Sequence, residues 1–171
     1  IYVYLDLLDY RTFWPEEGVQ DGPQLGRGAK PYAVFDPKLI DLQAQYAREL
    51  LLEHVNPLTG RCYAEDPAVL FIELCDENGL FRWWRHGGKL LSDYDRQLHH
   101  RFNAWLQQRY GDDATLRQAW TDALGRCCLR PGESLEKGTV RLATTPGGSG
   151  RHTDTALFFA ELHRKYFDAL K

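Results

Sequence analysis

Methionine is missing altogether from the 171 residues, and the chain opens directly on Ile1-Tyr2-Val3-Tyr4-Leu5, already strand-like, with no charged leader before it. Polypeptide upstream of Ile1 is therefore expected, and the compartment stays open between secreted, periplasmic and cytoplasmic. Basic excess is lacking too: 21 Lys and Arg stand against 24 Asp and Glu, a net charge of -3, which gives no electrostatic footprint for nucleic acid. No apolar run approaches the length of a membrane span. Of the four cysteines, Cys62, Cys75, Cys127 and Cys128, none forms a CxxC pair or has histidines at zinc-site spacing, so no metal and no cofactor is expected. Neither GxGxxG nor GxxxxGK[ST] follows a strand-like segment, which excludes a nucleotide-binding doubly wound sheet.

What is present is ordinary globular material. A hydrophobic fraction of 43% suffices for a sizeable core, and five Trp with nine Tyr are aromatics that either fill that core or stack on flat faces such as sugar rings. Ile1 to Leu8 alternates and is rich in β-branched and aromatic residues, which predicts a strand ending in the polar residues Asp9, Tyr10, Arg11 and Thr12. Residues 13 to 35 are rich in Gly and Pro and too long for a simple connection, which points to a functional loop. Asp36-Pro37 supplies an N-cap and a proline at the first helical position, and Leu39, Ile40, Leu42, Tyr46, Ala47, Leu50 and Leu51 recur at helical spacing to about Glu53.

After the turn His54 to Gly60, Asp66-Pro67 releases Ala68-Val69-Leu70-Phe71-Ile72, a continuous apolar run that predicts a buried parallel strand covered on both faces. The order strand, helix, strand is that of a parallel crossover unit. This strand ends in Asp76-Glu77-Asn78-Gly79, and chemistry in parallel sheets sits at such carboxyl ends. Glu73 shares strand parity with Glu77 and is expected to be structural and paired with a basic group. Leu80 to Gly88 reads as an aromatic and cationic loop, either a binding wall or a packed lid, carrying Trp83 and Trp84. Ser92 with Asp95 resembles a capping box opening a helix that Gly111 stops. A short helix from Asp112 or Asp113 to about Leu124, a mostly irregular stretch to Gly150 and a last helix from Thr153 or Asp154 complete the pattern. His86, His99 and His100 are weak site candidates, two of them on a helix and expected to be solvated.

Several of these segments together resemble the retaining glycoside hydrolases of clan A, in the flavour of cellulase-like (family 5-like) or β-galactosidase-like (family 42-like) proteins. They are Ile1 to Phe13, Phe35-Asp36-Pro37, His54-Val55-Asn56-Pro57-Leu58-Thr59-Gly60, Glu73-Leu74-Cys75-Asp76-Glu77-Asn78, Phe102-Asn103-Ala104-Trp105-Leu106, Tyr110-Gly111 and Leu116 to Trp120. The resemblance implies an α/β fold, a partial (β/α)8 TIM barrel comprising roughly strands three and four with their helices, and residues 1–171 as a fragment of a single catalytic domain cut at both ends. It makes Glu77, at the end of strand four, the general acid/base, and it puts Asp76 where the family has Asn. An ionised Asp76 only accepts hydrogen bonds, and it adds a negative charge beside Glu77.

On this reading Asp76, Asn78, Arg11, Trp83 and Trp84 contact an oligosaccharide or polysaccharide substrate. A retaining mechanism also needs a nucleophilic carboxylate about 5 to 5.5 Å from the acid/base. No later strand supplies one, and Asp6, Asp9 and Glu16 lie where the resembled clan binds substrate, so the nucleophile is expected outside the chain and the chain alone inactive. The alternative is a carbohydrate-binding or interaction module that lacks catalysis.

Overall fold

A computed structural model describes residues 1–171, which divide into two compact units: Ile1–Leu80 with His163–Lys171, and Phe81–Leu162. In the first unit, β1 (Val3–Asp6) and β2 (Val69–Glu73) pair in parallel, with Tyr4 opposite Phe71, Leu5 opposite Ile72 and Asp6 opposite Glu73. The helix α1 (Pro37–Arg48) forms the crossover between them. Its start is fixed by the Asp36 carboxylate, which accepts the Leu39 amide at 3.0 Å, and by Pro37, whose missing N–H costs nothing at that position. A π-helical turn, Glu49–Glu53, extends it.

The barrel expectation is corrected by this unit. The sheet ends at two strands, and neither strand has a further neighbour along its other edge. Nor is β2 a buried strand: Leu70 is 56% and Phe71 62% exposed, and Val3 and Tyr4 of β1 are exposed as well. The core is built instead from the long connection after β1, where Phe13, Val19, Leu25, Ala33, Val34 and Phe35 are buried with Leu39 and Leu42 of α1. The connection folds as four single 3-10 turns, at Pro15–Glu17, Gly22–Gln24, Arg27–Ala29 and Tyr32–Val34, which satisfy their backbone locally. Apolar side chains from this loop occupy the interior that a layered barrel would give to its strands.

One buried polar knot closes this core. Gln43 donates to the carbonyls of Ala33 and Leu39 at 2.8 and 3.0 Å, and its side-chain oxygen accepts the Tyr166 hydroxyl at 3.0 Å. Every polar atom of the Gln43 side chain is thereby satisfied, which is what permits an amide at 1% exposure.

The second unit is helical. Residues 80–85, read as loop, form α2 (Leu80–Arg85), followed by α3 (Ser92–Tyr110), α4 (Asp113–Ala119) and α5 (Gly150–Ala169), whose last residues from His163 belong to the first unit. The capping box at Ser92 is absent: Ser92 already lies inside the helix, its hydroxyl donates to Asp93, and the Asp95 amide goes to the Leu91 carbonyl. Asp112 does cap α4, accepting the Thr115 amide at 2.7 Å. Leu98, Phe102, Leu106, Leu116, Phe158 and Phe159 make the core.

The irregular stretch after Arg126 is held by side chains instead of a sheet ladder. Asn103 donates to the Val140 carbonyl and accepts the Val140 amide, at 2.9 and 3.0 Å. Buried Arg151 pairs with Glu133 and donates to the carbonyls of Cys128 and Arg141. Burial alone would raise the Glu133 carboxyl, yet the hydrogen bonds from Arg151 and from the Arg130 and Arg141 amides leave it below its ordinary range.

Candidate functional site

The carboxyl ends of β1 and β2 lie side by side because the strands are parallel and in register at Asp6 and Glu73. Parallel pairing therefore gathers the polar residues that follow each strand, although the segments are far apart in sequence. Asp9 is 3% exposed and forms an ion pair with Lys30. Lys30 also donates to the Asp76 carbonyl at 2.6 Å, so one ammonium ties the end of β1 to the end of β2.

Gly28 is required for this approach. Its φ is +70°, and a Cβ there would lie 2.2 Å from the Asp9 carbonyl oxygen. Tyr10, exposed, lies under the Arg27 guanidinium at 4.0 Å, and its phenol is raised first by its hydrogen bond to Asp9 and then by the Asp9 charge.

Around this bridge the electrostatics are negative. The Asp6 carboxyl is pushed above its ordinary value, first by loss of hydration and then by the charge of Asp9, with smaller contributions from Glu73 and Asp76. Glu73 accepts the Tyr4 hydroxyl, and that hydrogen bond is the main reason the Tyr4 phenol is pushed up to about 12. The partner expected for Glu73 was basic; it is a phenol on an exposed strand face, where a carboxylate needs no counter-ion because water reaches it.

The segment Asp76-Glu77-Asn78 carries the geometry with the clearest functional signature. Asp76 and Glu77 are exposed, and Glu77 has φ +52°, left-handed backbone that costs a non-glycine residue about 1–2 kcal/mol. Such strain clusters where a side chain must be aimed at a ligand. Asn78 is 2% exposed, and neither its amide nitrogen nor its oxygen has a hydrogen-bond partner. Two unmet groups on one buried side chain cost roughly 1–3 kcal/mol each unless a ligand or water completes them. Behind the turn, Gly79 packs so closely on His163 that a Cβ would fall 2.9 Å from its Nε2, and Leu80 is fully buried. The exposed carboxylate thus stands on an anchored base.

The remaining candidates are engaged within the protein. Arg11 turns into the fold, pairing with Glu17 at 2.7 Å and lying over the rings of Phe13 and Tyr46. Trp84 is in the core of the second unit, 5% exposed, its indole N–H donating to the Ala143 carbonyl at 2.8 Å. Trp83, also in the second unit, lines a cavity there. Lys30 escaped the sequence reading because a lone lysine in a glycine-rich loop has no spacing that links it to Asp76, 46 residues on.

No group of three His, Cys, Asp or Glu is arranged to hold a metal ion, and no helix is long and apolar enough to cross a membrane. Comparison of the chain with family models, with curated proteins and with solved structures returns no match, so its chemistry is read from the geometry of this site.

Proposed function

We propose that the carboxyl end of the two-stranded sheet is the acid/base half of a glycoside-hydrolysing site. Glu77 protonates the departing glycosidic oxygen and then takes a proton from the attacking water, while Asp76 accepts from sugar hydroxyls and Asn78 both donates to and accepts from them. The single observation that carries this reading is the pairing of an exposed carboxylate on strained, left-handed backbone with a buried, unpartnered amide next to it. A sugar hydroxyl, donor and acceptor at once, is the ligand group that completes both ends of the Asn78 amide.

The reading assigns no attacking carboxylate among these residues. Asp9 is buried against Lys30, and Glu73 is engaged by Tyr4. The chain alone is expected to bind sugar without cleaving it. In an NMR titration with a β-linked disaccharide, the Asn78 side-chain amide signals shift saturably, and Asn78→Ala abolishes the effect. An Asn78 amide that does not respond overturns the assignment. A second reading, a binding module without catalysis, is favoured by the same engagement of the neighbouring carboxylates. The two part on Glu77→Gln in the full-length protein: the first predicts loss of aryl glycoside hydrolysis, the second no hydrolysis that depends on Glu77.

A further inference from the structure

The second unit contains a cavity of about 450 Å³ lined by Trp83, Lys89, Ser92, Asp95 and His99, none of which the proposed acid/base chemistry uses. Its size falls in the usual range of small-molecule sites. Ser92, Asp95 and His99 sit at i, i+3 and i+7 of α3, so one helix face presents a hydroxyl, a carboxylate and an imidazole to the same space. The ring of His99 is oriented: its Nδ1 is 2.9 Å from the Asp95 carbonyl oxygen and 3.4 Å from the Asp95 carboxylate. Since both of these only accept, Nδ1 carries the proton and Nε2 of the neutral ring is the acceptor.

The indole opposite is held in place by Phe159, at 6.4 Å with an edge-on geometry, and by Gly88. A Cβ on Gly88 would lie 2.4 and 2.5 Å from Trp83 Cδ1 and Nε1, so only glycine lets the loop close on that edge. The Trp83 N–H is buried and has no acceptor in the protein. A buried donor with nothing to donate to is an unmet polar group on the cavity wall, which an oxygen-bearing ligand would satisfy.

We infer that this cavity of the second unit is itself a saccharide site, taking a neutral pyranoside ring. The indole offers a stacking surface for the C–H face of the ring. Asp95, His99 Nε2 and the Ser92 hydroxyl oxygen accept from its hydroxyls, and Lys89 donates to its oxygens. The Asp95 carboxylate also lies 3.9 Å from the Arg141 guanidinium, so its charge is balanced inside the protein and a neutral ligand needs no counter-charge there. The site does not rest on Glu77 and stands or falls by itself.

The test is an NMR titration of the full 171-residue chain with methyl β-D-glucopyranoside and methyl β-D-galactopyranoside. The Trp83 indole N–H signal is identified by its absence in Trp83→Phe. The expected result is a saturable shift of that signal by at least one of the sugars, weakened tenfold or more by Asp95→Asn and by His99→Gln and retained in Glu77→Gln and Asn78→Ala. Asp95→Asn and His99→Gln change polar groups at the cavity wall, so they report on the site even if Trp83→Phe disturbs packing. No saturable shift with either sugar up to about 10 mM, well beyond millimolar affinity, overturns the inference. A shift that survives both α3 variants, or that disappears in Glu77→Gln, overturns it equally.

Discussion

Replacing Lys30 by Met tests whether the two strand ends are held together by one ammonium. The Asp9 side chain is 3% exposed and that of Lys30 27%, and Lys30 also donates to the Asp76 carbonyl. Removing one member of a fully buried pair costs about 3–5 kcal/mol, mainly because the other charge is left stranded. The partial exposure of Lys30 and the remaining hydrogen bond from Tyr10 to Asp9 reduce this to about 2–3 kcal/mol. For a chain of this size that is a fall in Tm of roughly 4–12 °C. Urea and thermal denaturation of wild type, Lys30→Met, Asp9→Asn and the double variant form a cycle, and the double variant is expected to lose at least about 1 kcal/mol less than the sum of the singles. A Lys30→Met variant within about 0.5 kcal/mol of wild type, or strict additivity, refutes the bridge.

Glu133→Gln leaves Arg151 buried without its carboxylate, and a loss of about 3–5 kcal/mol is expected in denaturant melts of the second unit. Because the folded-state Glu133 carboxyl lies below its ordinary value, its contribution is complete above the ordinary glutamate range and fades as pH falls through the depressed value; stability that is flat with pH below about 4 contradicts this. The Tyr4 phenol, raised to about 12, has the opposite sign: its stabilisation is complete below pH 10 and is lost between 10 and 12, and an ultraviolet titration of wild type against Tyr4→Phe isolates it. Leu39→Ala removes a fully buried side chain of α1 and is expected to cost about 2–5 kcal/mol, measured by urea midpoint. Leu70→Lys and Phe71→Lys, on the open sheet, are expected to lower concentration-dependent association and dye binding with little change in stability; a large destabilisation means the strand is covered after all.

Much of the local structure was legible because short-range signals decide it. Asp36-Pro37 and the spacing from Leu39 give α1, Gly111 ends α3 and Asp112 starts α4. The two strands and their parallel sense were also readable from alternation and from the helix between them. What covers a strand was not. A run such as Val69 to Ile72 looks the same whether helices pack on it or water does, and here the interior went to Phe13, Val19, Leu25 and Phe35 of a connection whose glycines and prolines had marked it as a functional loop. The helix α2 was missed because six residues rich in Arg and Trp show no period. At the site, the exposed Asp76 and Glu77 were visible as a polar strand end. The backbone strain at Glu77, the unmet amide of Asn78 and the reach of Lys30 are properties of the folded chain, set by contacts that no spacing encodes.

The acid/base role proposed for Glu77 is tested most directly by leaving-group dependence, measured on aryl glycosides with the full-length protein. An acid/base at Glu77 predicts that Glu77→Gln slows glycosylation with poorly departing aglycones about 10²–10⁴-fold, and far less with aglycones acidic enough to leave unprotonated. Equal rates for wild type and Glu77→Gln across the whole series would contradict it.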